Sequence, residues 1–293
     1  MKKKKWPLYK TIVSVAIILL LIVAELIRSN HVPTITRYKI SAPKLTGGFR
    51  VVFLADLHGR EFGAGNARLL RLIAAEEPDI IVLAGDLIDS EADDGEVESV
   101  CAFISAAKEI APVYLGMGNH EYNYMEAHGG TLAGGFEQAG AAVLDGAFTD
   151  AELNGSEVRI GGYEGYYRTP HMDTQDGEKQ AAAWRFFKEF EDTGRFKLLI
   201  NHIPTNWLDW EYRDKSPVDL VLSGHYHGGI VRIPFTGQGL FVPYVGWFPP
   251  YTKGLFEGET ATCVLTTGLS GANGWPRLFN PPEIVTVDVV PGE

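Results

Sequence analysis

Thiols are scarce, with Cys101 and Cys263 the only two cysteines in 293 residues. Two are too few for a disulfide framework or a thiolate metal site. Each lies in an apolar run, Cys101 helical and Cys263 strand-like, which fits buried structural cysteines. Internal repeats are absent, and so is low-complexity sequence beyond the opening lysines. Neither a G-x-x-x-x-G-K-[ST] loop nor a G-x-S-x-G elbow occurs, so the common signatures of P-loop nucleotide hydrolysis and serine acyl transfer are missing. Positive charge is short in most of the chain. The formal total is −11, yet Lys2, Lys3, Lys4, Lys5, Lys10 and Arg28 fall in the first 30 residues, opposed there by Glu25 alone. Setting aside those six cations and one anion takes the remainder from −11 to −16. A body so acidic repels polyanions and disfavours a nucleic-acid polymer as partner. Bound divalent cations would offset part of that charge.

What is present is ample apolar residue for one large core, at 45% of the chain, broken by 33 glycines and 16 prolines. Those breakers predict many turns and short elements instead of a helical bundle. The opening "MKKKKWPLYKTIVSVAIILLLIVAELIRSN" places a basic cluster before an apolar run from Thr11 to Ala24. Leu8 to Ile27 is 20 residues, the span of a bilayer core at ~1.5 Å per helical residue. Trp6 and Tyr9 suit the membrane interface, and the lysines put the N-terminus in the cytoplasm with the body outside. A cleaved signal peptide competes with this reading. No small-x-small site follows the run, which favours an uncleaved anchor over residues 1–28. The expectation is a cell-membrane protein with a single span and an extracytoplasmic body.

Residues 29–48, with Pro33, Pro43 and Gly47-Gly48, read as a tether with an edge strand around "TITRYKI". From residue 49 to 293 the pattern is one domain. "FRVVFLAD", "DIIVLAGD" and "PVYLGMGNH" read as buried strands separated by the helices "NARLLRLIAAEE" and "VESVCAFISAAKEI". This order predicts a largely parallel sheet covered by helices. After about residue 141, "DAELNGSEVRIGGY" signals a hairpin at Asn154-Gly155. A helix in "GEKQAAAWRFFKEFEDTG" and strands in "KLLINH", "VDLVLSGH", "GGIVRIP", "ATCVLTTG" and "PPEIVTVDVV" then suggest a second, mixed sheet packed on the first.

Five short motifs stand at the ends of these strands: "DLHG" with Asp56 and His58, "GDLID" with Asp86 and Asp89, "GNHE" with Asn119 and His120, "NH" with His202, and "GHYH" with His225 and His227. Residues i and i+2 of an extended segment share a face, so Asp56 and His58 are expected to aim at one point. Gly59, Gly85, Gly118 and Gly224 permit sharp turns and close approach. Any one motif is compatible with a polar turn. Five in this order are not, since they hold five of the eight histidines and leave only His31, His128 and His171 outside. Carboxylate, imidazole and amide donors without thiolate suit Mn, Fe or Zn better than Mg or Ca.

This series resembles the calcineurin-like metallophosphoesterase family over about residues 49–289. The anchor and the ending "NPPEIVTVDV" are similar to a membrane-tethered bacterial branch related to diacylglucosamine-nucleotide pyrophosphohydrolases. The resemblance implies an α/β fold of two mixed sheets packed face to face and flanked by helices, an αββα sandwich, preceded by one transmembrane helix. It implies two divalent cations, manganese foremost. Asp56, His58 and His227 match the ligands of one; Asn119, His202 and His225 match those of the other; Asp86 matches the bridge. His120 matches the non-ligand histidine beside the scissile phosphate, and Asp89 the acid that orients it in some members. Glu121 stands where relatives carry Asp or Glu. Ser270 reads as a turn serine, and the family suggests that its loop and Arg277 return toward the site.

The implied chemistry is attack on phosphorus by a hydroxide bridging two cations ~3.5–4 Å apart. His120 would stabilise developing charge or protonate the leaving oxygen. Two aromatic loops are candidates for substrate contact: Tyr163, Tyr166, Tyr167 and Arg168 in one, Tyr244, Trp247, Phe248 and Tyr251 in the other. They equally suit filling the core or covering the sheet. With the anchor, they point to a phosphoester or pyrophosphate on a lipid- or envelope-linked molecule. The alternatives are a soluble-nucleotide phosphodiesterase and a non-catalytic metal-dependent envelope-binding module. Monoester, diester and pyrophosphate preference, metal identity and oligomeric state stay open.

Overall fold

Alternation within single strands decides the layering. In β2 (Phe49–Leu54), Val51 and Phe53 face one apolar cluster while Val52 and Leu54 face another, all four fully buried. A strand covered on both sides must be central, and its neighbours follow suit. The computed structural model describes residues 7–164, 177–208, 212–271 and 274–292.

The first sheet runs in the order β1 (Thr34–Ala42), β14 (Glu283–Pro291), β2, β3 (Ile80–Ala84), β4 (Val113–Gly116) and β5 (Ala141–Leu144). From β2 to β5 every pairing is parallel, and β14 enters antiparallel to β2. The second runs β12 (Gly254–Glu257), β13 (Thr262–Leu265), β9 (Leu220–Ser223), β8 (Phe196–Ile200), β7 (Ser156–Gly162) and β6 (Ala147–Leu153). Its centre is parallel and both outer pairs are antiparallel. Val51, Phe53, Val82, Leu198, Ile200, Leu222 and Val264 form the layer between the sheets. Outside the first sheet lie α2 (Ala67–Ala75) and α3 (Asp94–Lys108), which seat Leu69, Ile73, Phe103 and Ile104 on Val52 and Leu54. Outside the second lie α6 (Gly177–Glu191) and α7 (Thr205–Leu208), with Phe186, Phe187, Phe190 and Trp207 on Leu199 and Val221. The expected mixed double sheet with flanking helices is what the chain forms. Truncating one of the fully buried phenylalanines to alanine costs about 3–5 kcal/mol.

The hairpin at Asn154-Gly155 forms as the dipeptide predicts, with φ of 50° and 82°, the positive pair a two-residue hairpin turn requires. "GGIVRIP" departs from expectation. Gly228, Gly229 and Ile230 all take positive φ, which coils the chain, and only isolated bridges at Val231 and Arg232 remain. Cys101 and Cys263 are free thiols.

Helix α1 (Leu8–His31) is long and apolar enough to cross a membrane, judged by length and composition. Its apolar side chains are exposed from Leu8 to Ile27. The last turn is not free. Ser29 is fully buried, its Oγ accepting from Asn280 N at 3.1 Å. Asn30 donates to Arg277 O at 2.9 Å and accepts from Arg277 N at 3.1 Å. β1 follows at once, paired along its whole length with β14.

Candidate metal centre

The parallel strands end at one edge, and the loops that leave them carry the five motifs, as open α/β sheets place their chemistry. The convergence does not come from an extended backbone, as expected for Asp56 and His58. Both follow the end of β2 and have φ of 56° and 48°. Asp86, His225 and His227 share this left-handed conformation, at 51°, 70° and 45°. Each such residue costs on the order of 1–3 kcal/mol, a strain that persists only where the surroundings over-determine it. Here the surroundings are backbone amides. His225 N donates to Asp56 Oδ1 at 3.0 Å, and His120 N to Asp86 Oδ1 at 2.9 Å. Buried Glu121 accepts from Asp86 N, Leu87 N and Gly118 N at 2.7–2.8 Å, tying the second motif to the third. "GNHE" therefore opens a helix, α4 (Asn119–His128), instead of ending a strand. A Cβ on Gly118 would lie 2.3 Å from Asp86 Oδ1, so only glycine allows this approach.

Two groups of donor atoms result. Asp56, His58 and His227 have ligand atoms within 4.8 Å of one another, and so do Asp86, His202 and His225. Asp56 Oδ1 is 3.9 Å from His227 Nε2 and 4.0 Å from His202 Nε2, so the groups adjoin. Three histidines are oriented through Nδ1: His202 to Ala84 O at 2.6 Å, His227 to Ser270 O at 3.1 Å, and His58 to Asp89 Oδ1 at 2.8 Å. That leaves each Nε2 facing inward, as metal-binding imidazoles require.

Whether these residues fit cations can be read from atoms without partners. His58 Nε2, Asp86 Oδ2, Asn119 Oδ1 and His202 Nε2 are buried and make no hydrogen bond. Buried polar atoms are otherwise paired. His202 Nε2 and Asp86 Oδ2 approach to 2.9 Å but are not aligned as a hydrogen bond. Such inward-facing atoms fit divalent cations, which would take the place of the proton that His202 otherwise holds toward Asp86. Burial works against charge on both His202 and Asp86, yet their mutual attraction outweighs it, pushing the imidazole up and the carboxyl far down. Burial pulls His225 down to about 3 and His227 to about 4, so both are neutral donors near pH 7.

A third cluster, His58, Asp89 and His120, is of another kind. His120 Nδ1 accepts from Ser90 N at 3.1 Å, so in the neutral ring the proton is on Nε2. Burial outweighs the pull of Asp86 and lowers this imidazole's pKa, which favours the neutral ring. Asp89 Oδ1 is 3.4 Å from His120 Nδ1 but 2.8 Å from His58 Nδ1, so its hydrogen bond is to His58. Asp89, the expected orienting acid, stands 3.4 Å from His120 Nδ1, while the amide and hydroxyl of Ser90 contact that nitrogen at 3.1 and 3.0 Å.

A cleft of about 260 Å³ opens over Asp86, Asn119, His120, His225 and His227, with Tyr244 at its rim. Trp247 and Phe248 are exposed outside this lining, Trp247 tilted against Phe241 and Phe248 tilted against Trp247. Tyr163 is half-buried against Phe186 and Phe187. Tyr251 packs on Phe256. Tyr166, Tyr167 and Arg168 lie outside the described residues. Arg277 is fully buried and donates to the carbonyls of Gly268, Ser270, Asn280 and Pro281. Since Ser270 O also accepts from His227, Arg277 returns to the site as support for a ligand histidine.

A family profile described as calcineurin-like phosphoesterase matches residues 49–229. An uncharacterized metallophosphoesterase of Aquifex aeolicus is 27% identical over 87% of this chain and 91% of its own length. Phosphodiesterase YaeI of Escherichia coli is 25% identical over 83% of this chain and 82% of its own. A zebrafish transmembrane protein with metallophosphoesterase domain is 27% identical over 95% of this chain. The chain spans 62% of that relative and 66% of a Campylobacter jejuni metallophosphoesterase. A solved zebrafish dimetal phosphatase is similar over 75% of this chain and 87% of its own, at 14% identity and a TM-score of 0.40. The chain belongs to the calcineurin-like phosphoesterase family, and it is a metal-dependent phosphoesterase.

Proposed function

We propose that the protein is a membrane-anchored phosphohydrolase that cleaves a phosphodiester or pyrophosphate bond at a two-cation centre, on a lipid- or envelope-linked substrate outside the cytoplasm. The observation that carries this reading is the set of four buried donor atoms that make no hydrogen bond, on His58, Asp86, Asn119 and His202. Asp56, His58 and His227 would hold one cation and Asn119, His202 and His225 the other, with Asp86 available to both.

Bound divalent cations, manganese foremost, supply positive charge for the phosphoryl oxygens and an acidified water near neutral pH. The remaining work belongs to the chain. His120 presents Nε2–H toward the cleft, where it would hydrogen-bond a phosphoryl oxygen and stabilise the charge that develops on it. Ser90 N fixes that tautomer. Asp89 holds His58 in register. Helix α1 supports the membrane assignment, and its docking beside the site keeps the cleft near the bilayer surface.

A second reading, hydrolysis of a soluble nucleotide phosphodiester, is favoured by Tyr244, whose ring stands open at the cleft and could stack a base. Full-length protein in detergent, loaded with Mn, is expected to cleave bis(p-nitrophenyl) phosphate and to stop on chelation. A higher kcat/KM on polyprenyl-linked than on soluble phosphoesters is expected; the reverse selects the nucleotide reading.

A further inference from the structure

A second cavity borders the metal centre at His58. About 350 Å³ of space lies between the ligand side and the last turn of α1, lined by Asn30, His31, His58, Arg60, Asp89 and Trp275. It is distinct from the cleft of Asn119, His120 and Tyr244. Both cavities border candidate metal ligands, this one through His58 and the cleft through Asp86, Asn119, His225 and His227.

This second cavity holds a side-chain cation with no carboxylate partner among the described residues. Arg37, Arg50 and Arg159 each hold a carboxylate at 2.5–2.7 Å. Arg60 is half-buried, and among the described residues no ion pair within 4.0 Å includes it. Asp89, the carboxylate in the same cavity, is engaged by His58 Nδ1. Arg60 Nη2 instead meets His31 Nδ1 at 3.2 Å. With Nδ1 accepting, His31 carries its proton on Nε2 and remains a donor. In a body this acidic, a guanidinium with spare N–H donors beside a phosphate-handling centre calls for an anionic group from outside. Trp275 is 66% exposed at the rim, and α1 ends at the same cavity. An exposed indole next to an apolar helix suits the headgroup level of a bilayer.

Building on the phosphohydrolase reading, we propose that this cavity binds a second phosphate, with Arg60 as its principal ligand and His31 as a further donor. The substrate class is then a diphosphate ester, cleaved at the phosphate over the metal centre while the other is gripped on the side of the membrane helix. The chemistry is shared by a lipid diphosphate and a soluble nucleoside diphosphate ester.

The test uses full-length, Mn-loaded protein in detergent and titration calorimetry with inorganic pyrophosphate and orthophosphate. Wild type is expected to bind pyrophosphate more tightly. Arg60→Ala should weaken pyrophosphate about tenfold or more beyond any change for orthophosphate, as expected for a lost charge-assisted pair. Arg60→Lys should recover part of the loss and His31→Gln should show a smaller one. No wild-type preference, or equal losses on both anions, overturns the subsite. Kinetically, the ratio of kcat/KM on a diphosphate diester to that on bis(p-nitrophenyl) phosphate should fall by a similar factor in Arg60→Ala. Whichever of a polyprenyl and a nucleoside diphosphate ester shows the steeper fall identifies the source. If wild type hydrolyses nothing, the phosphohydrolase reading fails, while calorimetry still decides on Arg60.

Discussion

Asp89 Oδ1 and His58 Nδ1 are 2.8 Å apart, and this carboxylate–imidazole bond aims His58 Nε2 at the metal centre. Asp89→Asn is therefore expected to weaken cation affinity by about 10- to 100-fold, the usual effect of losing such a supporting partner. Titration of the apo protein with Mn measures it. Unchanged affinity with a slower reaction would return Asp89 to His120.

His120 is the complementary case. His120→Ala should leave cation binding intact and reduce kcat by about 10²–10⁴. Metal content and turnover measured on the same preparation separate the two effects. A variant with parental turnover on bis(p-nitrophenyl) phosphate would remove His120 from the reaction.

Gly118 tests the close approach at Asp86. In Gly118→Ala the new methyl falls 2.3 Å from Asp86 Oδ1, so either the helix start or the carboxylate must move. Loss of most bound metal, with a far-ultraviolet circular dichroism spectrum like the parent's, is the expected result. Full occupancy by elemental analysis would refute it.

Glu283 sets a pH limit on stability away from the centre. It is fully buried at the start of β14, 2.5 Å from Lys253 Nζ, and accepts from Thr266 Oγ1 and Thr267 N. Burial pushes its carboxyl up, but Lys253 and the hydrogen bonds outweigh that and hold it below the usual range. A folded pKa below the unfolded one, which is about 4.3, means stabilisation that is present above that pH and is lost as pH falls through the folded value. Glu283→Gln should lower stability at pH 7 by about 3–5 kcal/mol, because Lys253 keeps its charge. It should also flatten the acid limb of a urea-unfolding series below about pH 4.3. An unchanged limb would show that other carboxylates govern it.

Several features were legible before any coordinates. The five motifs rich in Asp, His and Asn marked the candidate donors, and three of those motifs supply the two groups the fold brings together, with His202 from a fourth. The Asn154-Gly155 hairpin and the strands from 49 to 116 followed from turn chemistry and apolar runs. Less visible was how the donors meet. A left-handed φ on five ligand residues has no local sequence cue, since aspartate and histidine adopt it only when neighbours compel it. Nor could "GGIVRIP" be told from a strand by its apolar residues.

The sequence alone determined the chemistry available: oxygen and nitrogen donors, an acidic body, a 20-residue apolar run and a family pattern across 49–229. Tertiary structure decided which donors share a point, which amide fixes His120, and that Ser29 and Asn30 dock on residues almost 250 positions away. Those outcomes depend on contacts between distant segments. Composition and periodicity report only on near neighbours, whereas the closing of the sheets brings the ends of separate strands to one edge.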